Sequence, residues 1–311
     1  MRALLFPGQG SQYVGMGKDL ADRFAEVREL YDEADGVLGF ALSKVSFDGP
    51  NDELVQTSRT QPAIFVHSLA LWTAWGKSRP DFQYAAGHSL GEFSALTVAD
   101  AWDFGTGLGL VKIRSAAMQK ACGAVLGTMA AVLNLPPEKL GALIAEASKS
   151  GVVQAANFNS PGQVALSGER AAVESAVALA LGYGARRAML LPVGGAFHSP
   201  LMAGAAEELT AALDEVEIRA PRVPVVLNVT AAPTCDPAQI RTGLKQQLTA
   251  PVLWQPSVET MAQRGVTEFV EVGPGKVLQG LVKRIAPGAA AWGVDTVRDL
   301  EQRVVSHVEN S

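Results

Sequence analysis

Phe82-Gln83-Tyr84-Ala85-Ala86-Gly87-His88-Ser89-Leu90-Gly91-Glu92-Phe93-Ser94-Ala95-Leu96 is the stretch that decides the fold class. Residues 82–87 read as a short strand, and a helical pattern starts at once from Ser89. Only a sharp turn fits between the two. Gly87 and Gly91 flank it, where the lack of a side chain lets strand and helix backbones approach closely. Ser89 thus stands in a G-x-S-x-G pattern at a helix N-terminus, beside free N–H groups and the positive end of the helix dipole. Two readings fit: an activated nucleophile whose oxyanion that helix end stabilises, or a helix N-cap.

The same alternation extends outward. Arg2–Phe6 reads as a strand closed by the turn formers Pro7-Gly8-Gln9-Gly10. Helical patterns follow over Asp19–Asp35, over Pro62–Lys77 (apolar almost all round, hence buried) and from Phe104 to Cys122. This succession predicts an α/β protein with a parallel sheet covered on both faces. The middle of the chain then changes character. Strands at Gly127–Leu133, Gly151–Asn157, Gln163–Ser167 and Arg186–Leu191, with helices at Pro136–Ser148 and Glu169–Leu181, spell βαββαβ, the ferredoxin-like split motif. Residues 126–192 are therefore expected to be a small inserted domain, with 1–125 and 193–311 forming the large one.

Beyond the insert the first pattern resumes. Helices are expected at Pro200–Val216, Pro237–Leu248 and Pro256–Arg264, and strands at Val225–Val229, Glu268–Val272 and Ala290–Val294. The tail from Glu301 is polar and is expected to fray.

Composition removes several classes. The 311 residues are 48% hydrophobic and 18% charged, with a formal net charge of -5. An acidic balance gives no support to nucleic-acid binding. No apolar run is long enough to span a membrane, and Met1–Pro7 reads as a first strand rather than a signal peptide. Cys122 and Cys235 form no disulfide framework and suit a reducing cytoplasm. The four histidines sit at no metal-ligand spacing, so neither a metal nor another cofactor is expected. A phosphate-binding reading of Gly8-Gln9-Gly10 fails because G-x-G-x-x-G is not completed and no Walker lysine follows.

A serine hydroxyl needs a base. His67 lies mid-helix on an apolar face and His307 in the tail, while His88 should point away from the Ser89 Oγ. His198 remains, in the irregular Gly194-Gly195-Ala196-Phe197-His198-Ser199-Pro200 junction, far downstream of the serine as in α/β-hydrolases. No acidic residue stands out to orient it, and a main-chain carbonyl can do so instead. Arg114 falls among Leu110, Val111, Ala117 and Met118 on an apolar stripe, so it must find an anion. An internal Glu or a bound carboxylate would serve. The loop after the first strand sits where backbone N–H groups complete an oxyanion hole.

Phe6–Gln12, Gln61-Pro62-Ala63, Gly87–Glu92, Ile113-Arg114, Asn157–Gln163, Gly195–His198, Gln247–Val252 and Glu271–Lys276, in this order, resemble the motifs of the malonyl-CoA:acyl carrier protein transacylase family. The resemblance spans nearly the whole chain. It implies a hydrolase-like large domain with a ferredoxin-like insertion. It implies further that Ser89 is the nucleophile and His198 its base, held by the main-chain carbonyl of Gln247. The N–H groups of Gln9 and Leu90 would form the oxyanion hole. Arg114 would bind the malonyl carboxylate, with Gln61, Phe197 and His88 also against the substrate, and Phe197 matches the malonyl-selective form. Expected partners are malonyl-CoA and a phosphopantetheinylated acyl carrier protein, with the chain acting as a monomer. Arg186, Arg187, Lys276, Lys283 and Arg284 would dock that carrier or form a solvated rim. A thioester hydrolase on the same scaffold and a silent carrier-docking protein are the competing readings.

Overall fold

The computed structural model describes residues 1–308, and side chains as far as residue 302. The first strand, β1 (Arg2–Phe6), leads through the 7–17 loop into α1 (Lys18–Arg23) and α2 (Ala25–Leu38). These are two helices where Asp19–Asp35 suggested one, because Phe24 takes an extended conformation (φ -123°, ψ 121°) between them. Two short helices follow that the periodicity did not signal, α3 (Leu42–Asp48) and α4 (Asn51–Leu54). Helix α5 (Thr57–Trp75) starts ahead of Pro62 and runs through it, since one missing N–H costs little against burial of nearly the whole helix. Strand β2 (Tyr84–Gly87), α6 (Gly91–Val98) and α7 (Phe104–Ala124) complete the first half.

The middle segment contains β3 (Gly127–Leu133), α8 (Pro137–Ala147), β4 (Val153–Ser160), β5 (Gln163–Glu169), α9 (Arg170–Ala180) and β6 (Arg187–Leu190). Its sheet has the order β4-β5-β3-β6 with every neighbouring pair antiparallel. Its own apolar cluster includes Ala130, Val132, Leu143, Leu166, Val173 and Ala176.

Helix α10 (Ala203–Glu215) comes next, entered through a tight turn over Pro200–Met202 that Ser199 caps. Strands β7 (Val225–Val226) and β8 (Pro233–Thr234) follow, then α11 (Pro237–Gln247), α12 (Trp254–Gln263), β9 (Glu268–Val272), α13 (Val277–Ile285), β10 (Ala290–Val294) and α14 (Val297–Val308). Strand β7 stops short of the expected Val229 because the chain folds back there, Leu227 N–H bonding Ala232 and Ala231 N–H bonding Leu227. Where fraying was expected from Glu301, α14 continues to Val308. Thr296 and Asp299 form a reciprocal capping box, each side chain accepting from the other's backbone N–H, and Leu300 is buried.

The large sheet has the order β10-β9-β1-β2-β7-β8, parallel except for the β7–β8 pair. Alternate residues of β1 enter different layers. Leu4 and Phe6 join the core under α2, α5 and α7, whereas Ala3 and Leu5 pack against α12 and α13. This two-sided cover explains the uninterrupted apolar run of the strand. The carboxyl ends of β1 and β2 therefore meet at one edge, where the 7–17 loop and the turn before α6 lie together. Among the described residues no helix is long and apolar enough to cross a membrane.

Candidate active site

The turn between β2 and α6 leaves no room for side chains. A Cβ on Gly87 would lie 1.8 Å from the carbonyl carbon of Gly91, and one on Gly91 would lie 2.0 Å from the Phe6 carbonyl oxygen. Ser89 at the apex has a positive φ of 52°, a strained conformation for a residue with a side chain. Asn228, just past β7, holds it there. The Asn228 Oδ1 accepts from the Ser89 N–H (2.7 Å) and its Nδ2 donates to the Gly87 carbonyl (2.7 Å).

The Ser89 Oγ lies 2.8 Å from His198 Nε2. His198 is buried and also has a positive φ, 56°. Its Nδ1 lies 2.8 Å from the main-chain oxygen of Gln247, at the end of α11. A carbonyl only accepts, so Nδ1 carries the proton and Nε2 is free to take one from the serine. Burial, and then the Arg114 charge, push the imidazole pKa down to about 3, so the ring is neutral at physiological pH. The carbonyl of His198 is itself fixed by Gln154 of β4, whose Nε2 donates to it (2.7 Å) and to the Thr249 carbonyl (3.1 Å).

Arg114, from α7, is fully buried. Its Nη1 donates to Gln61 Oε1 (2.6 Å), and its Nη2 donates to Ser89 Oγ (2.9 Å) and Gln247 Oε1 (2.9 Å). Nε has no partner among the described residues. The internal ion pair that the sequence left open does not form. All the guanidinium's hydrogen bonds go to neutral groups, and the nearest acid, Glu92, is reached through the Gln247 amide. Burial lowers the Arg114 pKa to about 9, with Glu92 opposing the shift, which leaves a cation at neutral pH. It is a buried charge with a donor edge turned toward the serine.

These groups face a cavity of about 260 Å³. Gln9 and Leu90 line it together with Ser89, and Gln61, His88, Arg114 and Phe197 line it as well. Met118, Met129, Leu191, Val193 and Leu281 supply apolar wall. His88 engages Asn159 Oδ1 through its Nε2 (2.9 Å), and its ring lies tilted against Trp254. His67 lies elsewhere, paired with Asp295 (2.9 Å), and the His307 side chain is outside the described residues. Among the described residues no cluster of His, Cys, Asp and Glu is arranged to hold a metal.

All nine site residues singled out from the sequence (Ser89, His198, Gln9, Leu90, Arg114, Gln61, Phe197, His88 and Gln247) converge here. Other residues meet them without having been singled out, among them Asn228, Gln154 and Glu92. Glu92 carried a signal, as the one charged residue within Leu90–Val98. Asn228 and Gln154 carried none, since a lone amide at a strand end is common.

The acyl transferase domain family matches residues 3–294. A malonyl CoA-acyl carrier protein transacylase of Haemophilus influenzae is 43% identical over 297 residues, covering 95% of each chain. The crystal structure of an acyl carrier protein S-malonyltransferase from Vibrio cholerae superposes with a TM-score of 0.92 at 44% identity, covering 97% of this chain and 99% of that one. A malonyl-transacylase solved in complex with a type II PKS acyl-carrier protein has a TM-score of 0.93 at 38% identity, covering 100% and 99%.

Proposed function

This chain belongs to the acyl transferase domain family, and on that footing we propose that it transfers the malonyl group of malonyl-CoA to the phosphopantetheine thiol of an acyl carrier protein, in fatty-acid or polyketide synthesis. The observation that carries this reading is Ser89 Oγ, set 2.8 Å from a neutral imidazole and 2.9 Å from a buried guanidinium at the wall of one cavity. The first contact makes a nucleophile. The second supplies a counter-ion for an acyl group that ends in a carboxylate.

In the first half-reaction Ser89 Oγ attacks the thioester carbon while His198 Nε2 takes the hydroxyl proton. The tetrahedral oxyanion lies between the N–H groups of Gln9 and Leu90, each worth about 3 kcal/mol of barrier. The intermediate collapses, the carbon–sulfur bond breaks, and His198 returns its proton to the departing CoA sulfur. In the second half the carrier thiol gives its proton to His198 and attacks the malonyl-serine ester; the carbon–Oγ bond then breaks and His198 returns the proton to Ser89 Oγ. Arg114 exchanges its bond to the serine for the malonyl carboxylate. An acetyl group leaves that cation desolvated and unmatched, which supports selection against neutral acyl chains. Phe197 and His88 line the cavity against the acyl portion, and Gln61 steadies the guanidinium.

Residues 126–192 act as an inserted domain beside the nucleophile-bearing one, a reading supported by their own sheet and core. The chain is read as a monomer. Its two free cysteines suit a reducing cytoplasm.

Intact-mass measurement after mixing with malonyl-CoA tests the reading. A malonyl adduct on Ser89, discharged onto phosphopantetheinylated carrier and absent in Ser89→Ala, is the expected result. Release of free malonate without transfer would make the protein a hydrolase. No adduct at all would leave it a docking scaffold.

A further inference from the structure

Among the described residues Glu92 is the one acid built into the wall behind the nucleophile, and the acyl-transfer steps above leave it unused. It is 1% exposed. Its Oε2 accepts from Gln247 Nε2 (2.7 Å) and from the Asn228 N–H (3.3 Å), while Oε1 has no partner among the described residues. Both partners are the amides that organise the site. Asn228 holds Ser89 and Gly87. Gln247 donates also to the Ser89 carbonyl (3.0 Å), accepts from Arg114 through its side chain and receives His198 Nδ1 on its main chain.

The charge balance points the same way. When His198 takes the serine proton, an imidazolium forms next to Arg114, a second positive charge in a buried space. The base has no carboxylate of its own, but a carboxylate stands one amide behind it. We propose that Glu92 is a positioning residue for acyl transfer: acting through Gln247, it keeps Arg114 and His198 in register with Ser89 and supplies the negative charge that offsets the transient imidazolium. The proposal rests on the acyl-transfer reading.

The charged and titratable groups around it are Arg114 from α7, His198 ahead of α10 and His88 in the turn before α6. Helices α5 and α11 present the amides of Gln61 and Gln247, and the segment after β7 presents Asn228. Burial lifts the Glu92 carboxyl to about 7, with Gln247, Asn228 and Arg114 restraining the rise. His198 and His88 are shifted downward by burial instead. A loss of rate near neutrality therefore reports a carboxyl, and Glu271, also raised to about 7 by burial, is the control.

The experiment follows the rate of malonyl-Ser89 formation against pH in wild type, Glu92→Gln, Glu92→Asp and Glu271→Gln, with Ser89→Ala as the blank. The wild-type rate is expected to fall as pH drops through about 7. Glu92→Gln should lose this limb and lower kcat by about 10- to 100-fold with little rise in KM. Glu92→Asp should recover part of the rate and keep a limb, and Glu271→Gln should keep the wild-type limb. A Glu92→Gln enzyme with wild-type kcat and pH profile would overturn the proposal. So would disappearance of the limb in Glu271→Gln, or its absence in the wild type, which decides the matter even if Glu92→Gln does not fold. Persistent adduct formation in Ser89→Ala would instead sink the acyl-transfer reading itself.

Discussion

The main-chain carbonyl of Gln247 receives the Nδ1 proton of His198 at 2.8 Å, so the orientation of this imidazole is written into backbone rather than into an exchangeable side chain. Replacing Gln247 by Ala keeps that contact and removes the amide that ties Arg114 to Glu92 and donates to the Ser89 carbonyl. The expected result is an enzyme that still forms an acyl-serine, about 10- to 100-fold more slowly, and discriminates less sharply between malonyl- and acetyl-CoA. His198→Ala should cost about 10⁴-fold or more in adduct formation. Rapid-quench mass spectrometry separates the two. Equal losses in both variants would refute the backbone account.

Arg114→Ala is expected to lower kcat/KM for malonyl-CoA by about 100-fold or more while acetyl-CoA gains relative to it, because the deletion removes a buried charge-assisted pair. Arg114→Lys should recover little, since an ammonium cannot serve Gln61, Ser89 and Gln247 from one planar group. Competition between the two thioesters in one tube reads the ratio directly, and an unchanged preference would remove Arg114 from the acyl site.

Gly91→Ala drives a Cβ to 2.0 Å from the Phe6 carbonyl oxygen, against backbone with no flexible end to yield. A loss of about 3 kcal/mol or more is expected, at or beyond the upper end of ordinary overpacking. Chemical denaturation followed by circular dichroism measures it. A variant as stable as wild type would show that β1 and α6 can part without penalty.

Glu271 accepts from the N–H groups of Leu278 and Gln279 at the start of α13, yet burial still lifts its carboxyl from 4.5 to about 7. The folded chain therefore binds this proton more tightly than the unfolded chain does. Stability from it is present below pH 4.5 and is lost as pH rises through 7, by about 3 kcal/mol. His198 works in the opposite sense over its own range, with stability lost as pH falls from 6.5 toward 3. Glu271→Gln cannot ionise, so relative to wild type it should gain stability between pH 5 and pH 8. A difference that stays flat across that range would contradict the buried-acid account.

The features legible in the sequence were those with a local signature. Strands β3, β9 and β10 begin and end where alternation and turn residues put them, and the order of β3 to β6 follows from spacing alone. The serine announces itself through two glycines and a change of period, and His198 through the lack of any better histidine. What escaped was long-range and polar. Asn228 lies 139 residues from Ser89, and Glu92 lies 155 from Gln247. An amide that bonds a distant backbone leaves no periodicity behind. Phe24 escaped for a different reason, because a single extended residue splits a helix without altering the apolar rhythm on either side.

Gln154 belongs to the small sheet, but its amide clamps the carbonyls of His198 and Thr249, and β4 adds backbone bonds from Val252 to Ala156 and from Phe158 to Val252. The 126–192 segment is thus a jig for His198 as well as a wall of the cleft. Chimeras that exchange residues 126–192 among relatives to alter cargo will keep their chemistry only when the donor segment brings an amide to position 154 and an extended backbone to 156–158. Modularity in this fold stops at that seam.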